Sequence, residues 1–267
     1  MFNFDEHEAS REATILLGNL KNKSLDVFDI LTHSKCYIAG GAITSVFTGN
    51  KINDYDIYFP SFSPVKDLEI EPYHTDLDFT RKKLNQLARP IFETDFALSY
   101  EIDGIHIQLI SLYAGMHIEK ILSKFDFTCC MGAFCPTQYN LEKCKDPIFI
   151  LNDRFLMHNS QRRLVYNVNS QYPFASIIRM KKYMSRGYDI SGLEMLKLVL
   201  KCNSVNIQNY ADLRENMLGI DTLVFKELTD TMLKDTDLAV KEYDFQEAIE
   251  FIDNYLVTHG YYDTFAF

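Results

Sequence analysis

The six cysteines, Cys36, Cys129, Cys130, Cys135, Cys144 and Cys202, include no CxxC pair and show no zinc-like spacing with histidine, so no structural metal is expected. They are read instead as reduced core thiols, with Cys129, Cys130 and Cys135 on or beside one apolar helix, where a free cysteine acts as a small hydrophobe. No apolar run is long enough to span a bilayer, which leaves no membrane partner. The acidic start Met1-Phe2-Asn3-Phe4-Asp5-Glu6 lacks a signal-peptide pattern, and a cytoplasmic location is expected. Repeats and low-complexity tracts are absent too, which excludes solenoid and disordered-tail architectures. What remains is a 267-residue chain, long enough for one large or two small domains.

Basic residues are scarce, but unevenly so. The net charge is −10, and from residue 203 to 267 there are 13 acidic and 4 basic side chains, a net of −9. Between Arg154 and Lys201 the balance reverses to nine basic against two acidic side chains, a net of +7. That block can track a phosphate backbone or be an ordinary solvated helix face. Within it Arg179, Lys182 and Arg186 have i, i+3, i+7 spacing and share one side of a helix. The acidic C-terminal region would shield a site, contact a partner or keep the chain dispersed.

The densest chemistry lies between residues 35 and 59. Lys35-Cys36-Tyr37-Ile38-Ala39 reads as a short buried strand, and Gly40-Gly41 lets the backbone turn sharply and approach whatever lies above the next helix. Ala42 to Thr48 provides about two turns of helix, and Gly49 is placed to end it as a C-terminal cap. Asp54 and Asp56 then open the strand Asp54-Tyr55-Asp56-Ile57-Tyr58-Phe59. Alternate strand residues share a face, so the two carboxylates project to one side roughly 6.6 Å apart along the strand. Such a pair suits Mg2+ or Mn2+, because Mg2+ prefers a few carboxylates plus substrate phosphates.

Residues 40 to 56 resemble, without a gap, the signature GGxVRDxLLGxxxxDxD of the class II tRNA nucleotidyltransferase and bacterial poly(A) polymerase family, within the polymerase-beta-like superfamily. Gly40 and Gly41 fall on its glycines, Ile43 on its valine, Val46-Phe47-Thr48-Gly49 on xLLG, and Asp54 and Asp56 on its metal-binding aspartates. Thr44 and Ser45 stand where the family has Arg and Asp, residues that help hold the triphosphate. Lys124-Phe125-Asp126-Phe127-Thr128-Cys129-Cys130-Met131 resembles the RRDFTINA element, with Asp126-Phe127-Thr128 retained and Phe125 in place of the second Arg. Asp126 is also a favoured N-cap for the helix expected over Phe127 to Phe134, and capping is the preferred reading. The stretch from Tyr172 to Tyr188, which includes Arg179, resembles the neck segment EDPLRILRAVRFAARLGF with one deletion and without its base-reading Glu-Asp and Arg.

The resemblance implies an α/β (α+β) nucleotidyltransferase head with a small mixed sheet, followed by a mainly helical C-terminal region. Segments are expected at 1–32 (N-terminal helical segment), 33–150 (head) and 151–267 (neck and body). It further implies transfer of NMP from an NTP to an acceptor hydroxyl, with Asp54 and Asp56 on the metal and Gly40, Gly41, Thr44, Ser45, Asp126 and Arg179 around the nucleotide. The implied acceptor is an RNA 3′ end, bound through the 154–201 block. Transfer to a protein or small molecule stays open, as does a nucleotide-binding pseudoenzyme that acts through a protein partner. The family's third carboxylate is expected on the returning strand of the hairpin Phe96–Ile110, whose turn is Asp103-Gly104. Gln108 occupies that position. His106, on the same face, is read as a structural histidine in preference to a substitute base.

The scaffold reads as helical over residues 8 to 32, as one helix or a broken pair with Ile15, Leu16, Leu25, Phe28, Ile30 and Leu31 in the core. Further helices are expected from Asp76 to Leu87 and from Ile118 to Lys124, with a break at Pro60-Ser61-Phe62-Ser63-Pro64. Helical patterns follow through Leu193-Leu196-Leu200, Leu213-Leu218 and Phe245-Ile249-Ile252. The tail Tyr261-Tyr262-Phe265-Phe267 is read as packing.

Overall fold

A computed structural model describes residues 2–3, 6–60, 74–94, 96–136, 149–217 and 242–258. The expected break after Pro60, Cys144, Leu218 and the aromatic tail at 261–267 lie outside the described residues. The chain divides into two compact units, Met1–Arg163 and Leu164–Phe267.

The first unit opens with a two-residue strand β1 (Phe2–Asn3) and a broken helix pair, α1 (Glu6–Lys23) and α2 (Leu25–His33). The break falls at Ser24, which caps α2 by accepting the Val27 N–H on its hydroxyl. On α1 the buried stripe is Ala13, Leu16, Leu17 and Leu20, the i, i+3, i+4, i+7 spacing of one helical face. Ile15 and Leu25, expected in the core, are exposed. Each is set off from that stripe or from the Val27–Leu31 face of α2, and the break at Ser24 sets the two faces independently.

Strand β2 (Tyr37–Ala39) leads into α3 (Gly41–Thr48), then β3 (Asp54–Tyr58), α4 (His74–Leu87), β4 (Phe92–Glu93), β5 (Ala97–Ile102), β6 (Ile105–Ile110) and α5 (Ile118–Leu122). A 3-10 turn at Thr128–Cys130 precedes β7 (Gly132–Phe134), β8 (Phe149–Leu151) and α6 (Phe155–Ser160). The helix expected over Phe127 to Phe134 is therefore not formed. Its second half is a strand, because Ala133 and Phe134 pair with Ala39 and Ile38 while Gly132 to Phe134 pair with Leu151 to Phe149. An apolar run of this length fits a buried strand or a helix equally well until its neighbours are known.

The eight strands form one mixed sheet in the order β1-β8-β7-β2-β3-β6-β5-β4. Only β3 and β6 run parallel; the other neighbours are antiparallel. The β5–β6 turn has Asp103 at φ 52° and Gly104 at φ 71°, as a two-residue hairpin turn requires. One face of the sheet packs Ile38, Tyr55, Ile57, Ile107 and Leu109 against α1, α2, α3 and α4. The other face carries a smaller cluster in which Tyr37, Ala39 and Tyr58 meet Ile118, Ile121 and Leu122 of α5.

The second unit is mainly helical. A two-residue strand, β9 (Arg163–Leu164), begins at its boundary, followed by α7 (Pro173–Met184), β10 (Asp189–Ile190), α8 (Gly192–Asn203), α9 (Tyr210–Asn216) and α10 (Phe245–Thr258). Ser191 caps α8 through the Glu194 N–H. The Glu194 side chain is almost fully buried, and its carboxylate accepts from the Tyr166 N–H at 2.8 Å and Lys197 Nζ at 2.7 Å. Leu193, Leu196 and Leu200 are on a helix as expected, but they are exposed; Leu198 supplies the contact that α8 buries.

Gly132 is the tightest point of the first core. A Cβ there would come within 2.9 Å of Ile43, Leu151 and Phe155 side-chain atoms, so Gly132→Ala should cost about 1–3 kcal/mol by overpacking, read from urea unfolding. The thiols give a second expectation. Burial pushes those of Cys36 and Cys129 well above the usual cysteine range, and only the thiolate reacts. In the folded protein at mildly alkaline pH, iodoacetamide should leave both unmodified. Among the described cysteines, Cys202, the one not fully buried, should label first in a peptide map.

Candidate active site

The site is built on β3 by alternation. Tyr55 and Ile57 are buried in the larger core, which forces Asp54 and Asp56 onto the opposite face, where both are half-buried. The β2 register sets Ala39 beside Asp56, and Gly40 follows directly. Gly40 has φ 76°, and its N–H donates to the Gly132 carbonyl at 2.9 Å. A side chain there would press Phe125 at 3.3 Å and lie 3.8 Å from Asp56 Oδ2. Gly40 is thus required twice, for its left-handed backbone and for the close passage of the 40–41 turn beside a carboxylate.

The parallel β6 register places His106 beside Asp54 and Gln108 beside Asp56. His106 Nδ1 lies 3.3 Å from Asp54 Oδ1. The position next to Asp56 therefore belongs to a neutral amide, as the hairpin reading expected. Among the described residues no group of three or more His, Cys, Asp or Glu side chains is placed to hold a metal ion. The face offers Asp54 and Asp56, enough for a hard cation that keeps waters and takes its remaining oxygens from substrate phosphates.

The other sequence-derived positions fall at different depths. Thr44 and Ser45 are buried within α3. Thr44 Oγ1 donates to the Cys129 carbonyl at 2.9 Å, also lying 3.3 Å from the Gly40 carbonyl. Asp126 is buried, and its Oδ1 accepts from the Phe127 N–H at 3.0 Å and from Cys130 Sγ at 3.4 Å. It holds the 3-10 turn. Arg179 lies on α7 in the second unit, half-buried like Lys182 and Arg186.

Two residues that sequence reasoning missed complete this arrangement. Asn159 Nδ2 donates to the Cys129 and Phe155 carbonyls, each at 2.9 Å, and His158 Nδ1 shares a hydrogen bond with Thr128 Oγ1. The Cys129 carbonyl is thereby held from two sides, by Thr44 of α3 and Asn159 of α6. No spacing rule marks a buried asparagine on a six-residue helix, so nothing in the sequence signals this clamp.

A β-sheet with a Gly-Gly turn into a short helix and two aspartates on the following strand defines a nucleotidyltransferase-like fold. Among solved structures, a CCA-adding enzyme in complex with CTP superposes with a TM-score of 0.51 at 13% identity, covering 96% of this chain and 58% of that one. A Thermotoga maritima CCA-adding enzyme complexed with tRNA gives 0.46 at 15%, covering 99% and 55%. At such identities the fold alone is shared, and it is that of the head and neck of class II CCA-adding enzymes. The chain belongs to the Gabija anti-defense 2 family, whose model matches residues 11–162. A curated relative, "Gabija anti-defense 2" of Bacillus phage SPbetaL7, is 30% identical over 237 residues, which are 89% of this chain and 53% of that protein. The chain thus spans about half the length of that relative.

The clamp gives a test. Thr44→Val removes one donor but leaves Asn159 on the Cys129 carbonyl, so the expected loss is about 1 kcal/mol in chemical unfolding. Thr44→Val with Asn159→Leu strips that buried carbonyl of both side-chain donors and should cost more than the sum of the single changes.

Proposed function

We propose that this chain is a metal-dependent nucleotidyltransferase that moves NMP from an NTP to an acceptor hydroxyl, with pyrophosphate leaving, and that it does so in opposition to a Gabija defence. The observation that carries the reading is the pair Asp54 and Asp56 on one open face of β3, beside the close passage of the Gly40-Gly41 turn. Asp54 and Asp56 would hold Mg2+ or Mn2+, which when bound supplies neutralisation of triphosphate charge and polarisation of the phosphoryl group. The Gly40-Gly41 turn precedes α3, so backbone N–H groups at its start are available to phosphate oxygens without side-chain obstruction. Thr44 and Asp126 act by keeping α3 and the 128–130 turn in register with that turn. His106 steadies the Asp54 carboxylate, and Gln108 orients water or an acceptor hydroxyl as a neutral hydrogen-bonding group.

The acceptor is an RNA 3′ end on the strength of the basic stretch 154–201, in which Arg179 and Lys182 lie one turn apart on α7; Arg186, expected on the same helical face, instead follows the end of the helix at Met184. A second reading, transfer to a hydroxyl on a protein, is favoured by the family's name, which points to a defence system as the target. It is also favoured by the missing base-reading residues of the neck.

Incubation with a divalent ion, each α-labelled NTP, total RNA and a Gabija-bearing lysate separates these outcomes. Label in an RNA band, lost in Asp54→Asn/Asp56→Asn, supports the first acceptor. Label in a protein band lost in the same variant moves the acceptor to protein. No label in any fraction, together with unchanged anti-defence action of the double variant, would leave a nucleotide-binding interaction module.

A further inference from the structure

Ser99 of β5 is only 2% exposed, yet its Oγ meets no hydrogen-bond partner among the described residues. A buried hydroxyl left unpaired is uncommon, because the group keeps its desolvation cost and gains nothing in return. Its place in the sheet gives it a direction. Leu98, Tyr100 and Ile102 pack into the larger core, so alternation turns Ser99 to the opposite face, the one that carries Asp54 and Asp56. The ladder sets Ser99 beside Gln108, and Gln108 beside Asp56. Hydroxyl, amide and carboxylate thus form one row across β5, β6 and β3.

Within the sheet, Gln108 is the polar neighbour best placed for that hydroxyl. On the far side of Ser99 in the same row stands Phe92 of β4, which is apolar. Along β5 the neighbours on this face are Ala97 and Glu101, and Glu101 is exposed. Gln108 is directly opposed to Ser99, a position that puts Cβ atoms about 5 Å apart, whereas the diagonal neighbours on β6 are roughly 7–8 Å off. The row has one consistent hydrogen-bonding sense. A carboxylate accepts and never donates, so the amide turns its NH2 end toward Asp56 and its oxygen toward Ser99, whose O–H is a donor.

We propose that Ser99 is a positioning residue of this site: with substrate bound, its O–H donates to Gln108 Oε1 and holds Gln108 Nε2 as a donor toward an oxygen lone pair arriving beside Asp56. The inference rests on the nucleotidyltransferase reading above, and the lone pair belongs either to a phosphate of the NTP or to the acceptor hydroxyl. Without Ser99 the amide can turn over, because its two ends have nearly the same shape. Its oxygen would then face Asp56 and the incoming oxygen, and repel both. In the substrate-free chain the hydroxyl stays unpaired, a cost in stability that binding removes.

Ser99→Ala discards the unpaired hydroxyl, so its urea midpoint should equal or exceed that of the wild type. Its function should nevertheless fall by about three- to tenfold, the worth of one hydrogen bond. Calorimetry with Mg2+ and each of the four NTPs, run beside transfer of α-label to total RNA and protein, separates the two oxygens. Weaker NTP binding assigns the phosphate; slower transfer at unchanged NTP affinity assigns the acceptor hydroxyl. In a Gln108→Ala background Ser99→Ala should cause no further loss, and Glu101→Ala should bind and transfer as the wild type does. A Ser99→Ala chain that matches the wild type in both readings overturns the proposal. So does a loss that comes with a lowered urea midpoint, an equal loss in the Gln108→Ala background, or an equal loss from Glu101→Ala. A wild-type chain that neither binds an NTP nor transfers label overturns the functional reading itself, and this proposal with it.

Discussion

Tyr55 and Ile57, packed against the helices beneath the sheet, hold β3 in a single register, and the rest of the site depends on that anchoring. A slip by one residue would send both aspartates into the apolar core and both apolar side chains into the open. With Tyr55 and Ile57 fully packed, such a slip is strongly opposed by the free energy of burying them, about 1.5–3 kcal/mol for each large apolar side chain. The same register sets Ala39 opposite Asp56 on one side, and His106 and Gln108 opposite the two aspartates on the other. One packing choice thereby places a glycine turn, two carboxylates, an imidazole and an amide on one face.

The 3-10 turn at Thr128–Cys130 shows a different division of labour. Asp126, Thr44, Asn159 and His158 spend their polar groups on backbone in and beside the turn and on the Thr128 hydroxyl. Buried polar groups of this kind are costly unless partnered, and here they tie two segments far apart in sequence, α3 and α6, to a single short turn. The clamp keeps Phe125, whose ring lies against Gly40 and Tyr58, at the margin of the aspartate face. Stability and site geometry are in this way the same interactions seen from two sides.

The second unit follows another logic. Glu194 and Leu198 fasten α8 by one narrow face, and Leu193, Leu196 and Leu200, whose spacing marks the helix, lie outside it. Amphipathic spacing reports that a helix has an apolar side, but not what that side meets. An apolar stripe looks identical in sequence whether it is covered within the chain or offered to another surface.

Much of the head was legible because its signals are local and steric. The helix over residues 42 to 48 with its αL cap at Gly49, the Asp103-Gly104 turn and the alternation of β3 follow from backbone preferences within a few residues, whereas the periodicity of residues 8 to 32 fits one helix or a broken pair alike and the Ser24 cap decides it. Gln108 opposite Asp56 was legible too, since a hairpin register constrains it. Only the tertiary structure decided that Gly132 to Phe134 is a strand, that Ile15 and Leu25 face outward, and that Asn159 and Thr44 converge on the Cys129 carbonyl. Each of these depends on partners distant in sequence, whose packing and hydrogen bonds outweigh local propensity. Sequence by itself determined the glycine turn and the spacing of the two aspartates, because both are local; the long-range pairing of strands determined which other groups stand on the same face.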